Sequence, residues 1–266
     1  MNIEVLIPTH HKSIDDDIKE IVKSSNVKSP SLVCNQVDND ADTYIDDIHI
    51  VNVSNLGVSN NRNNLLDNAT SDICICIDDD CRLVDNYIDI VNNFFIKHPD
   101  AEFVLFNGIV TKENNRLIHN KKTCRVTRFN QVSYAGGPGL VFKRDAINKY
   151  ALRYDISVGY PNYICLGEDT LFLYNLVKSK AIFYRSDVVL FSIEEDVTNS
   201  IYFEGVNEQF LISKGYITSI IHPHLKRIYL YKYALHLRRW RNNKYSFYQL
   251  IKMMKKGFNY NKPINI

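Results

Sequence analysis

Residues 73–80 read Ile73-Cys74-Ile75-Cys76-Ile77-Asp78-Asp79-Asp80. An apolar run rich in β-branched residues stops abruptly at three consecutive carboxylates. In an extended backbone successive side chains alternate, so Asp78 and Asp80 point to one side and Asp79 to the other. Massing like charge at a strand end is costly unless a cation is shared there, and a hydrated divalent metal carrying phosphates suits that role. A solvated acidic turn after a buried strand would look the same over these eight residues. The flanking sequence has to separate the two readings.

Upstream, strands and helices alternate. Residues 3–7 form a short apolar strand ended by Pro8-Thr9, and residues 14–24 carry helical spacing at Ile14, Ile18, Ile21 and Val22. Residues 31–37 read as a second strand followed by an acidic loop over 38–47. Residues 48–53 read as a third strand, Asn55-Leu56-Gly57 as a turn and residues 59–69 as a helix, so 73–77 is a fourth strand. This alternation predicts an α/β fold with a doubly wound, mostly parallel, Rossmann-like sheet. Ligands of such sheets bind beyond the carboxyl ends of the strands. Those ends carry Pro8, Thr9 and His10, then Asn35 and Gln36, then Asn55, then the aspartates, all polar and all expected on one crevice.

Downstream, residues 87–97 predict a helix, and residues 103–110 and 124–134 predict strands around a polar loop at 111–122. Gly136-Gly137-Pro138-Gly139 is a permissive loop leading to a strand at 140–143 and a helix at 145–150. Leu166-Gly167-Glu168-Asp169 opens a helix to about Lys178, and residues 181–191 read as a last strand. From residue 209 to 257 helical periodicity carries interleaved basic and aromatic residues, among them Lys226, Arg227, Tyr229, Tyr231, Lys232, Tyr233, Arg238, Arg239, Trp240, Arg241, Tyr245 and Tyr248. A core of residues 1–208 with a helical, basic extension over 209–266 is the expected domain organisation.

The net charge of +2 conceals an asymmetry. No Asp or Glu follows Glu208, whereas twelve Lys and Arg do; residues 1–208 hold 20 basic and 30 acidic residues. An acidic core with a basic arm points to an anionic surface for the arm. An anionic membrane interface and an amphipathic helix pair packed on the core both fit the tail; nucleic acid is disfavoured because the acidic core would repel it. No apolar run reaches the roughly 18 residues of a membrane-spanning helix, and Glu4 and Pro8 interrupt any signal-like N-terminal segment. The six cysteines lack zinc-ligand spacing and read as the reduced thiols of a cytoplasmic protein; the basic tail leaves open a peripheral place at the inner face of the cell membrane.

Four landmarks occur in order: residues 3–9, then Asn55-Leu56-Gly57-Val58-Ser59-Asn60-Asn61-Arg62-Asn63, then Ile77-Asp78-Asp79-Asp80, then Gly167-Glu168-Asp169. Together they resemble the family 2 glycosyltransferases of the GT-A fold, of the bacterial polysaccharide-building type, over residues 1 to about 190. The resemblance implies an inverting transferase taking a nucleoside-diphosphate sugar, UDP above all, and extending a glycan or a lipid-pyrophosphate-linked glycan. It implies that Asp78 binds the donor's ribose, that Asp80 with Asp78 holds Mn²⁺ or Mg²⁺ on the two phosphates, and that Asp169 is the general base. Pro8, Thr9, His10, Asn35, Asn55, Arg62, Asp79, Gly137 and Glu168 complete the expected donor site. Many family members place an aspartate where Asn35 stands, and an amide can also read a base edge. Some GT-A enzymes add a C-terminal histidine to the metal; His222 and His224 flank Pro223, but their spacing resembles the family's helical tail more than a metal site, and Ser192 stands where a histidine would be expected. Two other classes compete: a sugar-nucleotide pyrophosphorylase, which would show a Gly-rich basic loop after the first strand, and a non-catalytic glycan- or membrane-binding protein on the same scaffold.

Overall fold

A computed structural model describes the chain except residues 114, 120, 134–135, 195–205, 240–242 and 261–266, and the side chains of residues 15 and 113. Tyr134, Trp240 and Arg241 of the sequence reading therefore lie outside the described residues. Two compact units emerge, Met1–Tyr154 with Phe172–Glu195, and Asp155–Leu171 with Asp196–Ile266.

The first unit is built on one sheet. In chain order its elements are β1 (Ile3–His10), a π-helical turn (Ile14–Ile18) running into α1 (Lys19–Ser24), β2 (Ser31–Gln36), β3 (Ala41–Ile45), β4 (Ile48–Val53), α2 (Val58–Asn68), β5 (Ile73–Cys76) and β6 (Cys81–Leu83). Then come α3 (Tyr87–Lys97), β7 (Phe103–Val110), β8 (Arg116–Leu117), β9 (Cys124–Arg125), β10 (Leu140–Lys143), α4 (Arg144–Lys149), α5 (Glu168–Lys178, which begins in the second unit) and β11 (Phe183–Ile193). The strand order is β3-β4-β2-β1-β5-β10-β7-β11-β6, with β8 beside β7 and β9 beside β11. β4, β2, β1 and β5 pair in parallel; β10 enters antiparallel between β5 and β7; and β7 pairs parallel with β11. β4, β2, β1, β5, β7 and β11 thus run one way. This is the expected doubly wound, mostly parallel α/β sheet.

Burial follows the strand alternation. Val5 and Ile7 face a core shared with Ile18 and Ile21 and with Tyr87, Val91 and Phe95 of α3. Leu6 faces the opposite core, with Leu65 and Leu66 of α2, Ile147 of α4, and Phe172 and Leu176 of α5. Both faces are covered, so the parallel strands read as continuous apolar runs, and all six residues of β2 are buried.

Several sequence expectations shift. The acidic loop 38–47 contains β3, an antiparallel edge strand against β4. Its acidic residues face solvent, which is how an edge strand resists further pairing and why no apolar period betrays it; Tyr44 stacks on His49, and His49 lies 2.7 Å from Asp42. The strand expected over 124–134 shrinks to β9, because Gln131 Oε1 accepts from the Thr127 and Arg128 amides and folds the chain into a 3₁₀ turn. β6 and β8 lie in stretches read as turn and loop; they are two or three residues long, too short for a period.

Among the described residues the second unit holds α6 (Glu208–Ile221), α7 (Lys226–Leu237) and α8 (Phe247–Phe258), together with residues 155–167; one of the readings of the tail was a helix pair. Asn207 caps α6 through the Phe210 amide, and Ser246 with Gln249 forms a capping box on α8. α6 and α8 meet backbone to backbone. A Cβ on Gly215 would stand 1.8 Å from the Met254 carbonyl oxygen, and one on Gly257 would stand 2.1 Å from that of Ile212.

Candidate functional site

The carboxyl end of β1 organises the site. Thr9 is buried, and its hydroxyl donates to Asp79 Oδ2 at 2.6 Å. Its carbonyl accepts from Asn61 Nδ2 of α2 at 2.8 Å. The chain leaves β5 with the Ile77 amide on the Leu6 carbonyl and turns tightly, the Cys81 amide reaching the Asp78 carbonyl. Asp79 is thereby anchored inward, and Asp78 and Asp80 are presented from the other side of the turn. β5 ends at Cys76 and the aspartates lie in the turn closed by the Cys81 amide, so it is the turn and the Thr9 hydroxyl, not strand alternation, that set Asp79 apart.

Asp78 Oδ1 accepts from Arg62 Nη2 at 3.1 Å. The Arg62 side chain is 11% exposed and that of Asp78 37%, so the pair opens to solvent from the carboxylate end. The guanidinium also lies over the Tyr154 ring, 5.5 Å from its centroid. Asn63 fixes Tyr154 there by accepting from its amide at 2.8 Å and donating to its carbonyl at 3.0 Å. Arg62, Asp78, Tyr154, Pro8, Leu65 and Gly137 line one slot, apolar on its walls and charged at one end. Asp80 is exposed on its outer side, yet the protein packed around its carboxyl, and then the charges of Asp78 and Asp79, push its pKa above the usual aspartate value.

Other expected site residues brace this arrangement. Asn35 is fully buried. Its amide donates to the Lys12 carbonyl and to Asn52 Oδ1, both at 3.0 Å, and accepts from the Lys12 amide at 3.2 Å. It fastens the loop after β1 from within. Gln36 donates to the Asn55 and Gly57 carbonyls, and Asn55 Oδ1 accepts from Asn64, which together set the start of α2. His10 is exposed, with its ring edge-on to His11.

Asn61, Asn63 and Tyr154 were not among the expected site residues. A signal existed for two of them: Asn60-Asn61-Arg62-Asn63-Asn64 is a poor helix-forming run. Such a run is tolerated in α2 where its amides hold tertiary partners. Tyr154 lies 90 residues further along, and nothing local marks it.

Glu168 and Asp169 open α5 in the second unit. Gly167 precedes them at φ +105°, where a Cβ would stand 2.5 Å from Ile217 Cγ1, so only glycine makes this turn into the helix. In the same unit His222 stacks on Tyr229 with 3.5 Å between ring centroids, and burial together with Lys232 lowers its pKa. Among the described residues no three His, Cys, Asp or Glu side chains cluster as a metal cage. A cation at the aspartate turn would therefore draw most of its ligands from phosphates and water, as Mg²⁺ and Mn²⁺ sites on phosphate substrates do. The six cysteines are free thiols, with Cys34, Cys74, Cys81 and Cys165 buried.

The family model described as "Glycosyl transferase family 2" matches residues 35–151, from the end of β2 through the aspartate turn to α4. Over these residues, somewhat under half of its length, the chain is similar to family 2 glycosyltransferases. Solved structures agree in fold. S. aureus TarS superposes with a TM-score of 0.59 at 17% identity, covering 91% of this chain and 45% of that one. S. aureus TarS 1–349 gives 0.60 at 13% identity, covering 96% and 90%. TarS 1–349 in complex with UDP-GlcNAc gives 0.57 at 14% identity, covering 97% and 72%. This chain thus spans under half of the longer TarS structure and most of the shorter one. No curated protein sequence matches it. The fold is similar to that of these GT-A structures, and the aspartate turn occupies the carboxyl edge of the sheet, where ligands of such sheets bind.

Proposed function

We propose that the chain is a metal-dependent, inverting glycosyltransferase that moves a sugar from a nucleoside diphosphate, UDP foremost, to a glycan or lipid-linked glycan acceptor. The observation that carries this reading is the divided aspartate turn: Asp79 tied to Thr9, Asp78 held by Arg62 beside a Tyr154-walled slot, and Asp80 left outward with its charge disfavoured. The reading puts the base and ribose at this slot, which would have to widen from its present volume of about 20 Å³, with Asp78 accepting from a ribose hydroxyl. The family 2 match and the TarS complexes with UDP-GlcNAc and UDP support a donor of that class.

Asp80, with Asp78, would hold Mn²⁺ or Mg²⁺; the hard oxygen donors and the raised Asp80 pKa, which a cation would relieve, fit such an ion. When bound, the ion would neutralise the diphosphate as it departs. The acceptor hydroxyl oxygen forms its bond to the anomeric carbon from the face opposite the diphosphate. That bond's partner, the anomeric carbon to diphosphate oxygen bond, breaks with its electron pair going to the phosphate. Asp169 takes the hydroxyl proton. Arg62 is placed to exchange part of its contact with Asp78 for donor phosphate or base.

Slow hydrolysis across a panel of sugar nucleotides with Mn²⁺ tests the reading, and names the donor. Turnover of one nucleotide class with inversion is expected, with transfer falling about a thousandfold or more in Asp169→Asn. Binding without any turnover would favour the non-catalytic alternative, and pyrophosphate-dependent exchange would favour the pyrophosphorylase. Full transfer by Asp169→Asn would remove the base assignment.

A further inference from the structure

Among the described residues, one helical face of the second unit is apolar and exposed. Leu225, Ile228, Tyr231 and Leu235 fall along one side of α7 and are 51%, 64%, 48% and 53% exposed. Leu230, Ala234 and Leu237, on the opposite side, are buried against Leu211, Leu250 and Met254. α7 is therefore apolar on both sides, and only one side is used by the fold. Arg227, Lys232, Arg238 and Arg239 flank the outer stripe and are all exposed. The surface continues onto α8. Tyr231 lies 6.3 Å from the Phe247 ring at the start of α8, where Tyr248 is 73% exposed and Lys252 and Lys255 follow at helical spacing on the exposed side.

We propose that this outer face of α7, continued by Tyr248, Lys252 and Lys255, docks on an anionic lipid bilayer. The occupant follows from chemistry. Residues 209–266 contain no Asp or Glu, so a second copy of the face would bring cation against cation. A nucleic acid would pair with the arginines but offers nothing to Ile228, Leu235 and Leu225. A bilayer interface supplies both halves: headgroup phosphates for the Lys and Arg, the acyl boundary for the aliphatic residues, and the depth between them where tyrosine rings settle. α7 has twelve residues, about 18 Å of helix, which lies along such a surface instead of crossing it. No helix among the described residues is long and apolar enough to cross a membrane. The proposal goes beyond sugar transfer and does not require it, since docking is read without donor or acceptor.

The experiment is co-sedimentation of the full chain with vesicles of phosphatidylcholine alone and of phosphatidylcholine with phosphatidylglycerol. The wild-type chain is expected on the anionic vesicles, and to be released by salt. Ile228→Glu with Leu235→Glu should weaken partition at least about tenfold on the loss of two buried aliphatics. Both positions are exposed, so circular dichroism and donor hydrolysis without vesicles should match the wild type. Arg227→Gln with Arg238→Gln and Arg239→Gln should cost roughly fivefold per cation on anionic vesicles and nothing on neutral ones. Equal vesicle binding by the double Glu variant would overturn the proposal. So would absence of wild-type binding at low salt, or a wild-type dimer in light scattering that the Glu variant dissolves, which would make a second copy the occupant.

Discussion

Replacing Arg62 by Met removes the guanidinium that faces Asp78 while keeping an unbranched side chain over Tyr154. A fully buried ion pair broken from one side costs about 3–5 kcal/mol. Here the arginine is nearly buried but the Asp78 side chain is 37% exposed, so water takes up part of the loss, leaving about 2 kcal/mol. For a chain of this size that is a Tm lower by about 4–8 °C. The pair itself is isolated by a double-mutant cycle of Arg62→Met, Asp78→Asn and both together, followed by urea unfolding. A coupling energy of about 1–2 kcal/mol is expected from contact at 3.1 Å. Titration with UDP and Mn²⁺ supplies the functional arm, in which Arg62→Met should bind about tenfold more weakly, and Arg62→Lys should recover only part because it lacks the planar fork. Additivity within about 0.3 kcal/mol would refute the claim that Arg62 and Asp78 act on one another. Unchanged UDP affinity would refute the placement of the donor.

Asp80 has a raised pKa, so its contribution to stability is present below the ordinary aspartate value and is lost as pH rises through the folded-state value. Asp80→Asn should accordingly raise the Tm of the ligand-free protein at neutral pH, with the gain vanishing in acid; a lower Tm at neutral pH would contradict it. Gly215→Ala forces a methyl onto the Met254 carbonyl and should cost about 3 kcal/mol or more in urea unfolding, whereas a cost under about 0.5 kcal/mol would mean that α6 and α8 separate freely. Thr9→Val keeps the β-branched shape but deletes the hydrogen bond to Asp79; a loss of about 1.5–3 kcal/mol is expected from a charged acceptor left unpaired, and no loss would show that Asp79 needs no anchor.

Much of this was legible in the chain because the decisive signals are local. An apolar run ending in charge fixes both a buried strand and its polar end, so β5 could be read from eight residues, whereas the alternation expected through Asp78–Asp80 gives way to a turn after Cys76. The two cores on either side of β1 follow from simple alternation of Val5, Leu6 and Ile7. What stayed hidden depends on partners far along the chain. Tyr154 meets the site through Asn63 and Arg62, 91 and 92 residues away. Asn35 looked like a base reader at a strand end, but its amide faces Lys12 and Asn52. β3 was missed because an edge strand protected by exposed acidic residues has the composition of a loop. The outer stripe of α7 was legible as basic and aromatic, but only burial separates its two apolar sides.

The central claim is that the aspartate turn holds a metal-bound nucleoside diphosphate through Asp80. Calorimetric titration of UDP into wild-type and Asp80→Asn protein, each with and without Mn²⁺, tests it most directly. Binding to the wild-type chain should strengthen at least about tenfold with Mn²⁺, should weaken as pH falls through the raised Asp80 pKa, and in Asp80→Asn should no longer respond to the metal. Equal Mn²⁺ enhancement in Asp80→Asn would contradict the account.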